Sequence, residues 1–368
     1  MKSRERATPR ESFEGALFSV ARAYGFSTPP VQLTRKEVSE AGEVFGEDAA
    51  LIATVAGKMG PVTQTTQAWG VSKRSGGSAI VFVAASPKVS IAQAFVVKAA
   101  LGAAESSGIQ NTKVLISSVG DAESRKRYLR ELGNFFKKYS KELPEDITKQ
   151  ALENADAAAD ALLRAEHPLA ESLPRTIDYL SESSRKIMLE TITLFERLGI
   201  TYELEARLPY TPDVSRELVF AIEGVDSTGE VLRVAQGGRI EDNRTKKQEH
   251  EVVGIALSVP YPVDPKSPSA ATPTPACFVV HVGEAAKLKA FTLLDSLWRA
   301  QVSLGQALLA ETIQEQMSRA TESNARYVAI IGQREALDNT VIVKNVATQL
   351  QETIELDKLP GRMSRVRV

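Results

Sequence analysis

Two β-rich runs constrain this chain more than any other feature. Glu217 to Ile222 and Gly229 to Ala235 are joined by the turn formers Gly224, Asp226, Ser227 and Thr228, and the pair Gly237–Gly238 follows. Apolar and β-branched residues on both sides of such a cluster predict an antiparallel hairpin. The hairpin is expected to floor a pocket.

At 368 residues with 43% hydrophobic content, the chain is long enough for two or three domains with packed cores. The formal charge of −1, from 45 basic and 46 acidic residues, gives no whole-molecule field to draw in nucleic acid. Any RNA contact therefore needs a local patch. The one cysteine, Cys277, excludes an internal disulfide framework and a multi-cysteine zinc site, so a reducing, cytoplasmic setting is expected. No metal site and no cofactor is expected. No uninterrupted apolar run approaches a membrane span, and the charged start MKSRERATPRESFEG has no apolar core behind it. Neither membrane contact nor a targeting segment is expected.

Along the chain, Phe13, Leu17, Val20, Ala21 and Tyr24 sit at helical spacing, and Gly25 ends the helix. The stretch GVSKRSGGS before the strand AIVFVAASP reads as a turn, with Lys73 and Arg74 as solvated charges or as a phosphate grip. Ile91 to Gly108 is an alanine-rich helix stopped by glycine, and Asp121 is an N-cap for the helix after VLISSVG. Helices then run to Leu198, with EDITKQALENADAAADALLRAEH as one of them and Ser181 opening the last. His167, beside Pro168, is expected to be a surface or capping group. Arg239, Arg244, Lys246 and Lys247 cluster in a turn-rich stretch, as a solvated loop or a phosphate-tracking patch. Residues 260–275, YPVDPKSPSAATPTP with its preceding proline, form a proline-dense linker, and beyond it strands and helices alternate.

Arg207, Leu208, Asp213, Val219, Phe220, Ile222, Gly237, Gly238 and Arg239 hold the frame of RLVRGLDYYTRTVFEI and GGRYD, motifs of the histidyl-tRNA synthetase family, a branch of the class II aminoacyl-tRNA synthetases. The chain resembles that family again at VLISSVGDAESRKRYLREL, at DYLSESSRKIMLETITLFERLGITYEL and at NARYVAIIGQREALDNTVIVKNVATQLQETIELDKL. The resemblance implies an α/β (α+β) fold: a class II synthetase-like core over 1–259, built on an antiparallel sheet with a helical insertion at about 128–198. After the 260–275 linker it implies a C-terminal α/β anticodon-binding-like domain with a mixed sheet over 276–368. It also implies that ARAYGFSTPPV lies at a homodimer interface, whereas periodicity alone fits a helix packing on its own domain.

The family's catalytic positions are altered. Its RGLDYY arginine falls on Tyr210, its paired tyrosines on Val214 and Ser215, and the glutamate and arginine of its third motif on Pro260 and Tyr261. Without those guanidinium groups, adenylate formation lacks its electrostatic stabilisation. The expectation is a synthetase scaffold without aminoacylation, with no catalytic residue, acting as a homodimer that binds tRNA, another RNA or a protein partner. Arg326, Arg334, Glu335 and Lys344 are the candidate RNA contacts of the C-terminal domain, or else ordinary strand-end and loop charges. Two alternatives remain: a regulatory subunit resembling the synthetase-like partner of ATP phosphoribosyltransferase in histidine biosynthesis, and a genuine histidine-tRNA ligase with a diverged site.

Overall fold

The computed structural model describes residues 9–26, 30–38, 47–59, 66–87, 89–212, 214–241, 251–267, 273–310 and 312–366. Helix α1 (Pro9–Ala23) leads to strand β1 (Val31–Leu33), helix α2 (Glu47–Lys58) and the hairpin β2 (Thr66–Arg74) and β3 (Gly77–Ser86). Helix α3 (Val89–Ser106) and strand β4 (Gln110–Gly120) precede four helices, α4 (Ala122–Lys138), α5 (Glu145–Glu153), α6 (Ala155–Arg164) and α7 (Glu182–Arg197). Strands β5 (Tyr202–Leu204), β6 (Ser215–Val225), β7 (Val231–Ile240) and β8 (Glu251–Val259) complete the first part. The second comprises β9 (Cys277–His281), α8 (Glu284–Arg299), β10 (Leu304–Gln306), α9 (Ile313–Glu322), β11 (Tyr327–Ile331), α10 (Gln333–Asp338), β12 (Thr340–Asn345), β13 (Gln351–Glu355) and α11 (Leu359–Met363).

The first part is an eight-stranded sheet in the order β1-β2-β3-β8-β7-β6-β4-β5. Its six central strands pair antiparallel, and only the short edge strands β1 and β5 pair parallel to their neighbours. The expected hairpin is β6 and β7, longer than its two runs because the pairing continues to Ser215 and Ile240. The second part is a mixed sheet, β10-β9-β11-β12-β13, parallel on one side of β11 and antiparallel on the other.

Strand β8 shows how the layers form. Val253, Ile255 and Leu257 enter the core beneath α1 and α3, while Val252 and Ala256 face the opposite way against α2, as the two-residue period of a strand demands. Helix α3 is long and apolar enough to cross a membrane by length and composition alone, although Lys98 and Glu105 interrupt its apolar run. Its apolar face is instead the packed centre of the molecule, with Ala92, Phe95, Val96, Ala99 and Ala103 fully buried. Phe13, Leu17, Phe18 and Val20 of α1, and Tyr24 just after it, are all covered by the same chain.

Three local expectations change. GVSKR is strand, and the turn is only Ser75–Gly76. The long helix expected over 145–167 breaks at Asn154, whose side chain caps α6 by accepting from the Ala157 N–H at 3.0 Å. The helical insertion has its own small core of Tyr128, Leu132, Phe135, Phe136, Ile147, Leu162 and Leu173, whereas α7 packs on the main core through Phe195 and the Thr191–Gln93 hydrogen bond at 2.7 Å. The expected caps at Asp121 and Ser181 are present, and His167 caps the turn at Leu169. Of the proline-rich stretch, residues 268–272 lie outside the described residues. Before them the chain is pinned, with Val263 buried and its N–H donating to Ser78 Oγ at 2.9 Å.

The two sheets share one apolar core. Phe291 of α8 meets Phe95 at 4.4 Å between ring centroids, and the Tyr24 hydroxyl donates to Asp295 at 3.0 Å. A Cβ on Gly102 of α3 would stand 3.4 Å from the Trp298 ring, so the helices approach closely there.

Candidate functional site

The β6–β7 hairpin does floor a hollow, of about 150 Å³, lined by Glu47, Asp48, Ile52, Tyr210, Ser215, Gln236, Gly237 and Gly238 among others. Strand spacing sets its base: a Cβ on Gly237 would fall 2.1 Å from the Gly254 carbonyl oxygen, so glycine is required where β7 passes β8. Helix α2 sets its roof. Ile52 reaches the sheet so closely that a Cβ on Gly254 would lie 2.4 Å from it. The remaining volume is below the ~300–1,000 Å³ of pockets that hold drug-sized ligands.

The charges here are carboxylates and arginines bound to carboxylates. Glu47 and Asp48 line the hollow, and no described lining residue is a lysine or arginine. Arg74 donates to Glu47 at 2.9 Å, to Asp48 at 3.1 Å and to Ser258 Oγ, so it is neither a solvated turn charge nor a free phosphate grip. Burial raises the Asp48 carboxyl above its usual range, against the pull of Arg74. Arg239 is likewise held, by Glu251 and by Glu217 at 3.8 Å. Glu217 sits at a β-bulge with φ 52° and is almost fully buried, and burial raises its carboxyl too.

Of the altered family positions, Tyr210 and Ser215 meet at this hollow, and Ser215 Oγ accepts the Thr211 N–H at 3.0 Å. Val214 is buried in the core under α2. Pro260 is exposed at the end of β8, and Tyr261 packs on Phe13 at 5.2 Å on the other side of the sheet, away from the hollow. Arg244, Lys246 and Lys247 lie outside the described residues. In the second sheet, Arg326 and Lys344 share one end of β11 and β12, with the Arg326 guanidinium over Tyr327. Arg334 and Glu335 stand beyond the other end of β11; Arg334 pairs with Asp338 at 3.4 Å, and Glu335 accepts the Gly332 N–H at 3.0 Å at the start of α10. The four do not form one patch. Cys277 is fully buried, and burial pushes its thiol up to about 12, as fits a core residue.

The sequence reading missed a polar triad beside Tyr210. Arg125 of α4 donates to Asp156 of α6 and to the Tyr210 hydroxyl, each at 2.9 Å, and the Tyr210 hydroxyl donates to Asp156 at 2.9 Å. The guanidinium also covers the rings of Tyr128 and Tyr210, at 5.7 and 5.5 Å. Burial, then Asp156, pushes the Tyr128 phenol up to about 12, and burial raises that of Tyr210 further. The signal was Arg125 three residues before Tyr128, on the face of α4 that Leu132 and Phe135 also bury.

Residues 276–365 match the anticodon binding domain family. The chain is 27% identical over 266 residues to the histidine–tRNA ligase of Anoxybacillus flavithermus, covering 70% of this chain and 63% of that protein. It is 28% identical over 293 residues to that of Symbiobacterium thermophilum, covering 77% and 67%. The chain is similar to histidyl-tRNA synthetases over some 70% of its length. The fold agrees: the apo S. aureus histidyl-tRNA synthetase superposes with a TM-score of 0.50, 21% identity and 99% of both chains covered. This chain thus spans less than two thirds of the length of the Anoxybacillus relative, and its larger sheet carries a roofed, acidic hollow.

Proposed function

We propose that this chain is a histidyl-tRNA synthetase-like RNA-binding protein that does not activate histidine. One observation carries the reading: the hollow over the hairpin is small, roofed by Ile52 and lined by two carboxylates, with no lysine or arginine among the described lining residues. An ATP triphosphate would meet negative charge there, and developing charge on the α-phosphate would find no donor to stabilise it. Binding of tRNA or another RNA rests on the match of residues 276–365 to the anticodon binding domain family, with Arg326 and Lys344 as the local patch. A cytoplasmic homodimer is the setting that accompanies this reading.

The test is histidine-dependent exchange of pyrophosphate into ATP, run beside RNA binding at graded salt. No exchange is expected, together with a salt-sensitive RNA complex whose log–log slope falls by about 1 to 2 in the double variant Arg326→Glu, Lys344→Glu. Exchange above background would make the chain a ligase, and no tRNA binding at low salt would remove the RNA part.

A further inference from the structure

A larger hollow, of about 410 Å³, lies on the other side of Tyr210, between the helical insertion and the segment 206–212. Tyr128, Asp156 and Tyr210 line its floor, and Arg125 answers the charge there: the guanidinium and the Asp156 carboxylate neutralise one another and the Tyr210 phenol serves both. That floor offers ring surface rather than charge. Leu173 and Leu208, each buried, and the prolines 174, 209 and 212 complete an apolar wall. The rim is different. Asp160 faces Arg164 at 3.8 Å, and Arg175 is taken by Asp178 at 2.8 Å. Arg207, exposed, donates to the Glu171 carbonyl at 2.6 Å and makes no ion pair with a carboxylate among the described residues.

We propose that this hollow is a binding site for a small amphipathic anion, an aromatic or branched apolar body bearing one carboxylate or phosphate, with the body against Tyr128, Tyr210 and Leu208 and the anionic head on Arg207. A compact apolar cavity with one uncommitted cation at its mouth is the arrangement that recognises such a ligand. The site does not depend on the RNA-binding reading, because it uses none of the residues assigned there.

Calorimetry of the full chain with phenylacetate, phenyl phosphate, benzyl alcohol and benzylamine tests it. At least one anion is expected to bind with a Kd of about 1 mM, the range open to a ligand of that size. Whichever anion binds more tightly identifies the head. Arg207→Glu, an exposed change whose melting temperature should stay put, is expected to weaken the anion about tenfold. Ala206→Trp, which fills the hollow from the loop, should abolish binding of the apolar body. Equal or tighter binding of benzylamine or benzyl alcohol, unchanged affinity in Arg207→Glu, or no binding of either anion would overturn the proposal.

Discussion

Tyr210 separates two hollows that share the segment 206–212 but differ in what leans on them. The smaller sits where the sequence motifs point, and helix α2 has closed it with Ile52, Glu47 and Asp48. The larger sits where no motif points, and it stays open because the helical insertion builds a core of its own and touches the sheet side through a polar triad. A sheet conserves its shape more readily than its vacancies. What a cleft can hold is set by the side chains delivered from the next layer: α2 roofs the smaller hollow, and the helices over 128–164 wall the larger one.

The comparison breaks most sharply at Ile52. Ile52→Ala should cost about 4 kcal/mol, read as a lower denaturant midpoint, because the residue is fully buried between α2 and the sheet. It should enlarge the small hollow and still yield no ATP binding by equilibrium dialysis, since the carboxylates remain; ATP binding in this variant would mean that bulk alone closed the cleft. Asp156→Ala comes next, at about 3 kcal/mol, because it leaves the Arg125 guanidinium half-buried without its acid. Hydrogen exchange should rise in α4 and α6 while α2 keeps its protection, and equal loosening of α2 would show that the two hollows are coupled.

The smallest effect is one of pH. Asp121 is partly buried, which alone would raise its carboxyl, but the Ser124 N–H and the hydroxyls of Ser124, Ser181 and Ser183 overcome that and hold it down at about 2. A depressed carboxyl stabilises the fold above the unfolded value of about 3.9 and loses that stabilisation as pH falls toward 2. The junction of α4 with α7, which frames the insertion side, should therefore loosen between those two values, as followed by exchange at Ser181 and Ser184. Asp121→Asn should remove the dependence in that window. An unchanged profile would show that the carboxylate is not what ties the two helices.

Much of the framework was legible because its causes are local. A turn cluster between two β-rich runs gives the hairpin, and Asp121 and Ser181 cap their helices from within three residues. The break at Asn154 was hidden because helix formers flank it on both sides and its cap acts only once the chain has turned. Arg74 read as a turn charge because its acids stand 26 and 27 residues away on α2. The Arg125–Asp156–Tyr210 triad joins positions 31 to 85 residues apart, and no local window contains such a pairing. The sites were therefore less legible than the fold: a strand's alternation is written in neighbours, whereas a cleft's lining is assembled from distant ones.

The shared core of Phe95, Phe291 and Trp298 bears on how such a chain can be inherited. A gene cut after β8 would leave α3 and α1 wet along the flank that α8 covers, and a gene beginning at β9 would expose the matching face of α8. Loss of either half would thus be penalised as misfolding before any lost activity was felt. The two halves of this chain are therefore expected to fold as a unit.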